Sequence, residues 1–474
     1  METIYERVKF FDKPFVYILL NQRADTYCSY CLRKPTPTDS SPPQKLQLCG
    51  NCRFSRYCDK NCQRQAWRDH KPECARLKNV FPYLPVTEAL FLARIADKVK
   101  FLEEKGDVHE WQKDRRFDEL MTHEEEIKKD ENKMNHFEKM FEKTSKFMGA
   151  EMPDKEKFFL IFCRTWINSH SIHTNVGDEV GMALDLGVSR YDHCCRPNTT
   201  LVFDGFRAIM RPLVAEVDAK NYRKAFIAYV DVGRSKYQRR KELYSKWYFW
   251  CQCERCLDPD DDKLTSIKCS NKRCPEPIII TEEIDAINIV CPKCNTVVGE
   301  DEVVQARDLM LKIPSKFNMT SDPEEIANYK KLFNEAQKIL HSENIYYCRL
   351  MTAYLQMTGG KDEALTNPEM QKMVYQNYRR CLPQSDRHIG YQLLHLVKTL
   401  IEQGKRDEAA QYAFEAMTIF EVCFGLEHPY YLQTLALWTY LDQKTPKSDQ
   451  ELLQLMNFNY NRPVDLSSLL SATL

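Results

Sequence analysis

The chain has 474 residues, 43% of them hydrophobic and 29% charged, and its 68 Lys/Arg balance 68 Asp/Glu. That length suits roughly two to four domains with sizeable cores, and a net charge of zero argues against polyanion binding by the chain as a whole. No apolar run reaches bilayer-spanning length. FVYILL near the start is short for a secretory segment and no small-residue cleavage site follows it, so the expected location is nucleus or cytoplasm, with no membrane partner.

In chain order, residues 1–27 read as two strands, VKFF and FVYILL, parted by DKP. Twenty cysteines follow, most in tight pairs, and close pairs in a long chain without a signal peptide point to zinc rather than disulfides. Residues 28–74 offer Cys28-x2-Cys31, Cys49-x2-Cys52, Cys58-x3-Cys62 and His70-x3-Cys74, eight ligands and so enough for two tetrahedral ions. NCQRQAWRDHKPEC reads as helix. Residues 75–157 form a helical block: TEALFLARIADKVKFLEEK and DENKMNHFEKMFEKTSKFMG carry apolar residues at helical spacing, and HEEEIKKDENK between them reads as a solvated face.

Residues 158–231 read as strands, in ALDLGVS, TTLVFDG, RAIMRPL and KAFIAYV. Within them, DHCCRPN sets Cys194 and Cys195 side by side, too close to serve one small metal site together. Residues 232–258 contain Cys251-x-Cys253-x2-Cys256, three thiolates that need a fourth ligand from a distant part of the chain. DPDDD at 258–262 reads as a linker. Residues 262–300 pair Cys269-x4-Cys274 with Cys291-x2-Cys294 in short strand-like sequence, as in a small zinc ribbon. Cys163, Cys348, Cys381 and Cys423 read as buried core thiols. Residues 301–474 read as helices, with about two hairpin units resembling tetratricopeptide repeats.

The first cluster, with its Gln65-Ala66-Trp67…His70-Lys71…Glu73-Cys74 ending, resembles a MYND zinc finger. The resemblance implies alternating ligand sets, Cys28, Cys31, Cys58 and Cys62 on one ion and Cys49, Cys52, His70 and Cys74 on the other. DHCCRPN followed by CxCxxC resembles the post-SET zinc site of SET-domain lysine methyltransferases, which makes Cys195 the fourth ligand and leaves Cys194 a buried free thiol. The order of these motifs resembles the SET–MYND (SMYD) protein lysine methyltransferases over nearly the whole chain. It implies an α+β architecture: a split SET β-fold with an inserted MYND finger and helical insert, a post-SET zinc site, a small zinc ribbon and a C-terminal α-helical TPR-like domain.

The resemblance further implies methyl transfer from S-adenosyl-L-methionine (SAM) to lysines of histone tails or other proteins. It carries cofactor contacts to His123, Asn168, Ser169, Ser189, Asp192, His193 and Phe249, and the catalytic role to Tyr229 of Tyr229-Val230-Asp231. Three zinc sites, and a fourth in the ribbon, are expected beside SAM. The chain departs from the family at three points. No Gly-x-Gly loop precedes VKFFDKPFVYILL, the first glycine being Gly50; Asp192 replaces Asn; and AEVDAKNYRKAF stands where Gly-Glu is usual. For the missing loop three readings stand: a shortened chain, a substitute segment, or a SET fold without transferase activity. Two other functions compete with methyl transfer. One is a non-catalytic adaptor that captures Pro-rich peptides with the finger and helical repeats. The other is DNA binding by the basic finger, in which residues 28–80 hold 11 Lys/Arg against 4 Asp/Glu, Arg56, Arg64 and Arg68 among them.

Overall fold

The computed structural model describes residues 4–35, 45–106, 113–174, 177–358, 367–443 and 447–456, together with 466 and 469. The ends of the first and last predicted units, 1–3 and 470–474, lie outside the described residues.

Two short N-terminal strands, β1 (Lys9–Phe10) and β2 (Val16–Leu19), find their partners far along the chain. β2 is buried throughout, so water cannot satisfy its backbone groups and a sheet must. After them come the finger hairpin β3 (Gln47–Leu48) and β4 (Arg56–Tyr57), and the helix α1 (Lys60–Val80) that NCQRQAWRDHKPEC predicts. Asp59 caps α1 by accepting from the Cys62 N–H at 2.8 Å. The helical insert is α2 (Thr87–Lys105), α3 (Glu124–Lys129), α4 (Glu131–Met148) and α5 (Lys155–Asn168). Phe137 and Met140 of α4 are buried, and the charged α3 buries only Ile127.

The core strands follow: β5 (Ser169–His173), β6 (Glu179–Leu184), β7 (Thr199–Asp204) and β8 (Arg207–Pro212). One antiparallel sheet runs β2-β6-β5 and the other β1-β8-β7, with Val16 opposite Leu184 and Lys9 opposite Met210. The first strands thus complete sheets built some 170 residues later. The expectation of strands from residue 158 is corrected at both ends. Residues 158–168 belong to α5, where Phe158, Phe159 and Phe162 pack around Phe137: an all-apolar run cannot be assigned by period alone. KAFIAYV forms no ladder. It makes one parallel bridge, His193 to Ile227, beneath the 191–199 loop.

Next come α6 (Lys236–Trp247) and α7 (Glu254–Leu257), the ribbon strands β9 (Ile267–Lys268), β10 (Pro277–Ile278), β11 (Ile289–Val290) and β12 (Val297–Val298), and α8 (Glu300–Lys312). The tail is α9 (Pro323–Ile339), α10 (Ile345–Met357), α11 (Pro368–Cys381), α12 (Arg387–Glu402), α13 (Arg406–Phe424), α14 (Pro429–Asp442) and α15 (Asp449–Leu455). Gly404, at φ +71°, turns α12 into α13, and Ala409, Ala413 and Ala416 let α13 approach its neighbours. Cys163, Cys348, Cys381 and Cys423 are buried, as expected. No described helix is long and apolar enough to cross a membrane.

The DPDDD segment is not a linker. Residues 259–265 form a 3-10 turn that buries Asp261 between two guanidiniums with fully buried side chains, Arg239 (2.6 Å) and Arg255 (2.8 Å). Arg255 also donates to the carbonyls of Cys195 and Val232, and Arg239 to that of Arg234. Two cations against one carboxylate leave positive charge beside the Cys195 and Cys256 sulfurs, which offsets the negative charge of a four-thiolate site. Removing the carboxylate strands both guanidiniums. Asp261→Ala should therefore cost about 3–5 kcal/mol, read as a lowered denaturation midpoint of the metal-loaded protein.

Candidate metal centres and active-site cavity

Four groups of donor atoms converge, each within 4.8 Å: Cys28/Cys31/Cys58/Cys62, Cys49/Cys52/His70/Cys74, Cys195/Cys251/Cys253/Cys256 and Cys269/Cys274/Cys291/Cys294. A tetrahedral zinc with bonds of about 2.3 Å has sulfur–sulfur edges of about 3.8 Å. The separations seen are 3.7 Å for Cys31–Cys58, 3.8 Å for Cys49–Cys74, 3.5 Å for Cys195–Cys256 and 3.6 Å for Cys269–Cys294. Donor set and spacing both fit zinc. The finger pairs alternate along the chain, and Cys194 stands outside the third group, half-buried rather than buried.

The second finger group is tied to the sheet through buried charge. His70 turns Nε2 toward Cys52 (3.7 Å) and Nδ1 toward Glu73 (3.1 Å). Burial alone would raise the Glu73 carboxyl; Arg94, which grips it at 2.6 and 3.0 Å, and His70 hold it down to about 2. Arg94 donates onward to the Tyr17 carbonyl on β2 at 2.5 Å. Such outer partners fix a ligand's tautomer and orientation. The first finger group abuts the β7–β8 turn, where Gly205 (φ +61°) lies so near the Cys31 carbonyl that an added Cβ would collide with it.

The third group builds the cavity wall. Asn198 clamps the 224–226 segment, accepting from the Phe226 N–H at 2.7 Å and donating to the Lys224 carbonyl at 2.8 Å. Farther along, the Tyr229 N–H donates to His193 Nδ1 at 3.0 Å. That leaves the ring hydrogen on Nε2, which faces Cys195 Sγ at 3.2 Å. Burial holds this imidazole neutral, at about 4. Both ring nitrogens of His193 thus face groups of the protein itself.

The other expected residues, His123, Asn168, Ser169, Ser189, Asp192, Phe249 and Tyr229, line one cavity of about 1520 Å³ between the SET sheets and the C-terminal helices. Several are held in place by the backbone. Asn168 donates to the carbonyls of Met121 and Arg164, Ser189 to that of Leu186, and His123 sits at φ +48° against Tyr248. Asp185 shapes the turn before Ser189 by accepting from Gly187 and Val188; burial pushes its carboxyl up to about 6. Tyr229 donates its hydroxyl to the Tyr191 carbonyl at 2.6 Å. Burial, then the Asp192 carboxylate, push its phenol well above the usual range, so it stays protonated. Its ring lies 5.0 Å from Trp247 and 5.4 Å from His193, which is 6.2 Å from Phe249.

Trp247 and His170 are among the cavity residues that no sequence motif singled out. Trp247 stands two positions before Phe249, and its indole donates to the Ile167 carbonyl. His170 directly follows Asn168-Ser169 and carries a buried Nε2 with no hydrogen-bond partner. No spacing rule marks either one. Beside Ser189, Arg115 reaches the Ser189 and Glu119 carbonyls and Arg190 reaches that of Asp114.

Cys195→Ser should lower the zinc content by one ion per chain, measured by elemental analysis, whereas Cys194→Ser should leave it unchanged. The reverse pattern would overturn the ligand assignment.

Residues 28–74 match the family model described as MYND finger. Over 426 residues the chain is 26% identical to histone-lysine N-methyltransferase SMYD3 of Mus musculus, covering 88% of this chain and 87% of the relative. It is 24% identical to histone-lysine N-methyltransferase ASHR1 of Arabidopsis thaliana and 22% to N-lysine methyltransferase SMYD2 of Homo sapiens, with 88% of this chain covered in each case and 87% and 89% of the relatives. Residues 28–74 thus carry a MYND finger, and the chain as a whole is similar over most of its length to proteins named as SMYD-type lysine methyltransferases.

Proposed function

We propose that this protein is a SAM-dependent protein lysine N-methyltransferase acting on histone or other protein lysines. The observation that carries the reading is the setting of Tyr229. It stands in an aromatic cluster on a cavity of about 1520 Å³, larger than the roughly 300–1,000 Å³ of one small-molecule pocket. There is room for a cofactor and a peptide side chain together, as a two-substrate transfer requires.

The wall suits a cationic donor. Asp192 supplies a carboxylate, and Tyr229 and Phe249 supply ring faces that favour positive charge. His123, Asn168, Ser169, Ser189, Asp192 and Phe249 would hold SAM, which supplies an electrophilic methyl on a sulfonium. Tyr229 is no general base, because its phenol is held protonated. Its hydroxyl hydrogen is spent on the Tyr191 carbonyl, which leaves oxygen lone pairs to accept from a lysine amine and aim it. Burial of that amine lowers its pKa and frees its electron pair, and alignment supplies much of the rate.

A second reading, partner capture by the finger, is favoured by Leu48 and Trp67, which stay exposed on β3 and α1 and could dock a Pro-rich peptide. For DNA the basic finger has less free charge than its composition suggests. Arg56 pairs with Asp25, and the Arg68 guanidinium lies over Phe101 at 5.7 Å.

Calorimetric titration with SAM should give saturable binding. Tyr229→Phe should keep that binding and lower methyl transfer to peptide lysines by about 100-fold. Full activity of the variant would remove Tyr229 from the mechanism. Absence of SAM binding in folded, zinc-loaded protein would favour the adaptor, whose peptide capture should fail in Cys49→Ser and survive in Tyr229→Phe.

A further inference from the structure

The cavity carries more charge than a methyl-donor pocket and an apolar lysine channel require, and its acidic and basic members differ in one respect. The carboxylates at its C-terminal wall are neutralised within the protein. Asp231 faces Arg234 at 3.3 Å and Arg349 at 3.1 Å, and Asp386 faces His388 at 2.8 Å. Two cations that line the same cavity, Lys246 and Arg387, have no carboxylate within 4.0 Å among the described residues. Lys246 lies in the last turn of α6 with its ammonium over the Trp247 ring at 4.4 Å, and Trp247 packs against Tyr229. Arg387 opens α12 and lines the cavity from the C-terminal helices.

His170 and His173 of β5 connect the two. A strand normally sends residues three apart to opposite faces. Here the pairing with β6 shifts register between Ile172 and His173, which resets the alternation, and both histidines line the cavity. The four groups act on one another. Burial first, then Lys246 and His173, pushes His170 down to about 4, and burial and Arg387 lower His173 in turn, against Glu179. Burial also lowers the Lys246 ammonium, opposed by Glu242. The cavity lining thus holds a basic strip of Lys246, His170, His173 and Arg387, with Lys246 beside the Tyr229–Trp247 pair, Arg387 on α12, and His170 carrying an unpartnered Nε2.

We propose that this strip recognises acidic residues flanking the target lysine, Lys246 pairing with a carboxylate beside the entering side chain and Arg387 with one farther along the peptide. Part-buried cations without internal partners repel a basic peptide, and an acidic one discharges that repulsion as it binds. A lysine embedded in basic sequence meets like charge at both ends of the strip. The inference deepens the methyltransferase reading and rests on it for the lysine. The acid recognition itself can be measured without methyl transfer.

The test uses the full-length, zinc-loaded protein and two synthetic peptides, one lysine flanked by glutamates and the same lysine flanked by glutamines, titrated by calorimetry with and without SAM. The glutamate peptide should bind about tenfold more tightly, and the advantage should shrink as salt is raised. Lys246→Gln and Arg387→Gln, both at part-exposed positions, should each reduce the advantage while circular dichroism and zinc content stay unchanged. Equal binding of the two peptides would overturn the proposal, as would a glutamate preference that survives in the double variant. A preference lost in the variants of a protein that binds no SAM would support acid recognition while removing the methyltransferase reading, so the two fail separately.

Discussion

The convergence of Cys195 with Cys251, Cys253 and Cys256 is the constraint on which the cavity depends. It joins the 191–199 loop to the segment after α6, and so brings Asp192, Tyr229, Trp247 and Phe249 onto one wall. The link to the chemistry is a single imidazole: His193 faces a ligand sulfur with one nitrogen and the Tyr229 backbone with the other. A shift of the metal site would move the tyrosine with it. Arg239, Arg255 and Asp261 hold the site from behind, balancing charge that neither water nor apolar packing could balance at that depth.

The finger is anchored by similar means. The series from His70 through Glu73 and Arg94 to the Tyr17 carbonyl crosses from a ligand to the central sheet through buried and part-buried polar contacts. Each group satisfies the next, which is the condition under which such a network stiffens a structure. The finger is therefore fixed relative to the SET sheets, with Trp67 and Leu48 left on its outer surface.

Between the two anchors lies a cavity whose walls come from three distant parts of the chain: the helical insert, the SET core and the C-terminal helices. Its two ends have different character. Asp192 and the aromatic cluster, with the Lys246 ammonium over Trp247, stand at one, and β5 and α12 bring His170, His173 and Arg387 to the other.

Much of this was legible in the residues. Cysteine spacing marks ligands because a short turn can present two thiolates to one ion, and the expected groups of four are the groups the fold brings together. Helical periodicity located α2, α4, α12 and α13 for the same reason: the pattern is local. Tertiary structure alone decided what depends on partners distant in sequence. KAFIAYV looks like a strand, but the 191–199 loop takes its hydrogen bonds. DPDDD looks like a solvated linker, yet two arginines bury its middle carboxylate. His193 joins the metal site to the Tyr229 backbone, a link between residues 36 positions apart. Local pattern reports what a segment can do; the fate of each polar group is settled by whichever distant group meets it in the core, and one chain carries no local record of that meeting.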